Sequence, residues 1–199
     1  MELLTVTAPD GESYQITFNP IKENLKGRMP HSELNRYEYL VEQAQEKPRE
    51  AVEDIEAFAK KNDRFPEVLN LLTYVCAQKK QVKRVEELIG ISYEKHPDYF
   101  FARVNYADQC LRRKKLGEFA RVFPELSLKR VCPNQKTFHY SQYRGLMVLF
   151  GFYRLARGED ATPYLEAAKA VEPMHISVLL LERKIKRKKG RLRSWLFRR

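Results

Sequence analysis

Cysteine, glycine and tryptophan are scarce here: three Cys, eight Gly and one Trp in 199 residues. Three Cys with no CxxC pair exclude a disulfide scaffold and predict a reducing compartment. Gly and Pro together number only 18, which excludes a collagen-like or low-complexity chain. The longest apolar run near the middle, residues 146–152, is far too short to span a bilayer. The opening stretch MELLTVTAPDGES has no basic start and no long apolar region, so no signal peptide is expected and a cytoplasmic position follows. Catalytic signatures are missing too. His31, His96, His139 and His175 lie far apart with no HExxH, and there is no GxGxxG, GxxxxGK[ST] or GxSxG. The sequence therefore predicts no catalytic residue, no metal ligand and no cofactor, and a non-enzymatic role.

What is present is a core-forming share of apolar residues, 43%, beside 32% charged residues and a net charge of +11. The charge is uneven. Residues 182–199 hold 10 basic side chains and one acidic one, while the first 181 are nearly neutral. Such a cationic end predicts an anionic partner: a phosphate backbone, an anionic membrane surface or an acidic protein. The plainer alternative is a solvated tail that aids solubility.

Residues 2–18 read as strand, turn, strand. Leu4 and Val6 alternate with Thr5 and Thr7, and Tyr14, Ile16 and Phe18 alternate with Gln15 and Thr17. The Ala8-Pro9-Asp10-Gly11 stretch between them has turn chemistry. A lone hairpin is marginal in water, so Tyr14, Ile16 and Phe18 are expected to pack on the first helix pair. From Ser32 the period becomes helical, with Pro48 and Pro66 placed at helix starts. No strand is expected after residue 18. A final helix is expected from about Met174 toward Lys189.

A repeat runs through the helical region. Cys76 and Cys110 are 34 apart, and prolines close units at Pro66, Pro97, Pro133 and Pro173. Gly151, Gly158, Ala161, Leu165, Ala168 and Pro173 form a small–large–small pattern ending in Pro. Leu69, Leu72, Cys76, Val85, Ile89, Ser92 and Pro97 form another, with Thr73 where a small residue is usual. A third runs through Tyr106, Ala107, Cys110, Ala120 and Phe123, but Pro124 should break its second helix near Phe123. These units resemble the tetratricopeptide repeat (TPR) family over roughly residues 31–189. The resemblance implies an all-α, TPR-like α-solenoid of about four helix pairs, preceded by a short N-terminal β-hairpin. The expected division is 1–30 for hairpin and connector, 31–183 for repeats and 184–199 for a basic tail.

Three candidate surfaces follow. The first helices of such units line a concave docking face, which places Asn70, Tyr74, Phe101, Asn105 and Asp108 there, suited to a protein or peptide ligand. Some TPR proteins clamp a C-terminal carboxylate with paired Lys and Asn; here Asn70 stands where a Lys is expected, so that clamp should be absent. The turns inside each pair carry Lys79, Lys80, Lys83 and Arg84, then Arg112, Arg113, Lys114 and Lys115, an expected anion-binding ridge. The tail, with Lys184, Lys186, Arg187, Lys188, Lys189, Arg191, Arg193 and Trp195, has three readings. It caps the last repeat, lies on an anionic membrane as a peripheral anchor, or binds nucleic acid. Cys76 and Cys110 are expected at helix contacts, and His96 and His175 as helix caps.

Overall fold

The computed structural model describes residues 3–19 and 25–196, with side chains through residue 188. Among them are ten helices and three strands: a mostly helical chain with a small sheet. Two compact units divide it. One comprises residues 22–109 and the other residues 1–21 with 110–199.

The 22–109 unit begins with α1 (His31–Glu46) and α2 (Val52–Asn62). Pro48 lies in the turn before α2 rather than at its first residue, so α2 starts later than expected. Pro66 opens α3 (Pro66–Gln78) as its first residue, where its missing N–H costs nothing. Next come α4 (Val82–Lys95) and α5 (Phe100–Arg112), the unit boundary falling near the end of α5. Leu40, Ile55, Val68, Leu72 and Val75 form its core, with Cys76 at 2% exposure among them. Thr73 does not spoil this contact: its buried hydroxyl donates to the Leu69 carbonyl at 2.7 Å. The buried Glu67 is paired with Arg28 at 2.7 Å, which ties the segment before α1 to α3.

The other unit holds the sheet. Strand β1 (Leu4–Thr7) pairs antiparallel with β2 (Ser13–Thr17), as the alternation predicts. The segment after residue 18 does contain a strand, against expectation. After α6 (Leu116–Val122) and α7 (Leu128–Val131), β3 (Thr137–His139) pairs parallel with β2, Ile16 opposite Phe138. The hairpin packs within its own unit, on β3 and the start of α8. Tyr14 meets Phe138 edge to face at 5.6 Å, and Phe18 stacks on Tyr140 at 5.2 Å. Its turn is pinned as well. The Asp10 carboxylate accepts from Tyr14 Oη, Ser127 Oγ and the Leu128 N–H, so the hairpin supplies the cap that α7 lacks from its own preceding residue.

Helix α6 ends at Val122 with Phe123 as its cap, where Pro124 was expected to break it. The three remaining helices are α8 (Tyr140–Ala156), α9 (Thr162–Lys169) and α10 (Ile176–Leu196). A Cβ on Gly151 would sit 2.6 Å from a Leu181 methyl, so the absent side chain lets α10 close on α8. Ala168 is fully buried on α9, as the repeat register predicts. The basic tail begins inside α10 rather than after it.

One backbone feature recurs. Lys80, Lys114 and Gly158 are left-handed, at φ 60°, 58° and 86°. After each, a backbone N–H reaches back five residues: Gln81 to Cys76, Lys115 to Cys110 and Glu159 to Arg154. This six-residue closure satisfies carbonyls left open at a helix end. The first two closures are 34 residues apart, the same interval as Cys76 and Cys110.

Candidate docking faces

Within the 22–109 unit, Asn70 and Tyr74 sit one turn apart on α3, and Phe101, Asn105 and Asp108 lie along one side of α5. Asn105 Nδ2 donates to Asn70 Oδ1 at 3.4 Å, which brings these two helix sides together. Tyr74 is 43% exposed and Asp108 is exposed, while Phe101 is half-buried against Tyr99 and Phe100. The result is a mixed surface of amides and aromatic rings. Each Asn amide offers both a donor and an acceptor, matching the two groups of a peptide unit.

The sequence reading missed two residues of the same pattern. Asn35 and Tyr39 on α1 repeat the Asn-x-x-x-Tyr spacing 35 residues before Asn70 and Tyr74. Both are exposed, Tyr39 at 46% with Arg36 over its ring at 5.1 Å. The period 35, 70, 105 of the three asparagines was the available signal.

The basic turns are less cationic than their sequence suggests. In the first, Arg84 pairs with Glu56 at 2.9 Å and with Glu87, and Lys79 approaches Glu53. Among the described residues, Lys80 and Lys83 have no acidic partner. In the second, Lys115 pairs with Glu118 at 3.0 Å, and Arg112 and Arg113 also have partners. The two turns belong to different units.

The tail is a helix at its start. Val178, Leu181 and Ile185 turn inward at helical spacing, and Leu181 is fully buried. Lys184 lies over the Phe152 ring at 5.0 Å, Lys186 pairs with Glu182 at 3.1 Å, and Arg187 is exposed. The Lys188 ammonium lies near Gly158, the turn just past the end of α8. The α10 helix continues to Leu196. The side chains of Lys189, Arg191, Arg193 and Trp195 lie outside the described residues. The first half of α10 thus packs on α8 and α9.

The remaining polar groups act structurally. His96 caps α4 and its Nε2 meets the Asp63 carbonyl at 2.9 Å; His175 Nδ1 accepts the Ser177 N–H at the start of α10. Burial raises the Cys76 thiol, which makes it a poor nucleophile. No group of His, Cys, Asp and Glu suited to a metal occurs among the described residues, and no described helix is long and apolar enough to cross a membrane. Comparison with protein-family models, curated proteins and solved structures found no match.

Proposed function

We propose that this chain is a non-catalytic docking protein of TPR-like, repeating build. Its Asn70–Asn105 face receives an extended peptide or protein segment, and the basic second half of α10 brings it to an anionic partner. The observation that carries this reading is the Asn105–Asn70 contact flanked by the exposed Tyr74. Side-chain amides held side by side match a peptide backbone, and exposed rings cover its apolar side chains. The recurring closures at Lys80, Lys114 and Gly158 support the repeat character.

The alternative is a nucleic-acid-associated protein that grips phosphate through the basic turns and tail. The ion pairs at Arg84 and Lys115 lower the cationic density that reading needs. Native pull-downs with and without nuclease, repeated over a salt series, separate the two. Peptide docking survives nuclease and loses little with salt, whereas phosphate binding falls steeply. The tail should be removed after Lys188, because a cut at Lys184 would also delete the buried Ile185. Replacing Asn70 and Asn105 by Ala should weaken a peptide partner roughly fivefold or more, from about 1 kcal/mol per lost hydrogen bond.

A further inference from the structure

The unit that contains the sheet carries a second feature. Strand β1 lies at the sheet edge, in the order β1-β2-β3. Ala8 N–H donates to the Glu12 carbonyl at 2.9 Å, so the pairs 8–12, 6–14 and 4–16 are the hydrogen-bonded ones. Leu4 and Val6 thus spend their backbone groups on β2. The N–H and C=O of Thr5 and Thr7 point outward, to the free edge.

Edges of this kind are ordinarily blunted by Lys, Pro, a bulge or a covering element. Strand β1 reads Leu-Thr-Val-Thr, with no charge and no Pro. Leu3 and Leu4 are 42% and 38% exposed. Beside the strand runs a groove of about 510 Å³, lined by β1 through Pro9 on one side and by Pro163, Glu166, Ala167 and Ala170 on the other. Those positions share one side of α9 and its closing residue. Among the described residues, the groove therefore has a ladder with no strand paired to it along one wall and, Glu166 apart, short side chains along the opposite wall.

We propose that this groove takes an extended segment of a partner protein, about six residues long at ~3.3 Å per residue, as an added strand on β1. The ladder of Thr5 and Thr7 asks for an extended backbone. Pro163, Ala167 and Ala170 leave room for small apolar side chains at alternate positions of that segment. Glu166 is the charged residue of the lining, so acidic segments are disfavoured. This site is separate from the Asn70–Asn105 face and stands whether or not that face binds peptide.

The test is selection of a random heptapeptide display library on the full chain, after depletion on a Thr5→Pro variant. Pro at this position removes an outward N–H and leaves the bonds to β2 in place. Peptides should remain after depletion. They should slow amide exchange at Thr5 and Thr7 by about tenfold or more, with Leu4 and Val6 changing little because they are already bonded. An Ala170→Arg variant, at the exposed residue that closes α9, should lose the same peptides while melting as the parent does. The proposal is overturned if no peptide survives depletion, or if surviving peptides bind the Ala170→Arg chain equally. It is also overturned if Thr5 and Thr7 become protected with rising protein concentration alone, which would make a second copy the occupant.

Discussion

Lys80 and Lys114 hold a left-handed backbone that glycine adopts freely, and Gly158 holds the same conformation in the third turn. A side chain costs energy there because Cβ crowds the following carbonyl. Lys80→Gly and Lys114→Gly should each raise stability by about 0.5–1 kcal/mol, and Gly158→Ala should lower it by a similar amount. Urea melts of the three variants check this. Ala168 allows no enlargement: Ala168→Leu should cost about 1–3 kcal/mol, and a parental melt would contradict the packing on α9. Tyr14 gives a pH signature. Burial, aided by the Asp10 carboxylate, pushes its hydroxyl up to about 12. Below pH 10 folded and unfolded chains both keep the proton. Between pH 10 and pH 12 the unfolded chain releases it first, so stability falls through that window. Melts stepped across this range should show the fall, and Asp10→Asn should narrow it.

At the scale of elements, the helices were legible because their apolar stripes are long and their ends are marked by Pro66, Pro97, Pro124 and Pro173. Strand β3 was not legible. Three residues, Thr137–His139, cannot display an alternation, and their pairing with β2 depends on segments far apart in the chain. The hairpin was legible as a hairpin, but its partner was not, because Tyr14 and Phe138 are brought together only by that parallel pairing. Deleting residues 1–19 should therefore uncover Phe138 and Tyr143 and destabilise the unit formed with residues 110–199. Amide exchange over residues 128–150 should speed up in the deletion. Asp10→Ala, which removes the acceptor for four hydrogen bonds, should cost about 1–3 kcal/mol.

At the scale of the whole molecule, the sequence separates a nearly neutral body from a cationic end, and the structure continues that end as a helix rather than as a separate tail. The asparagine face was legible in part. Asn70 and Asn105 follow from the repeat spacing, and the Asn35–Tyr39 spacing on α1 echoes Asn70–Tyr74 before the cysteines and prolines that mark the repeat begin. The Arg84–Glu56 pair was not legible, since the two meet only after α2 and α4 have folded together, whereas Arg84–Glu87 and Lys115–Glu118 are local pairs three residues apart. The central claim, that the 22–109 unit docks a peptide or protein on its asparagine face, is tested most directly at Tyr74. A photo-crosslinking aromatic residue in its place, activated in the native host cell, should yield a nuclease-resistant protein adduct. That adduct should fade when Asn70 and Asn105 are both replaced by Ala. No adduct at all, or one that nuclease removes, would contradict the account.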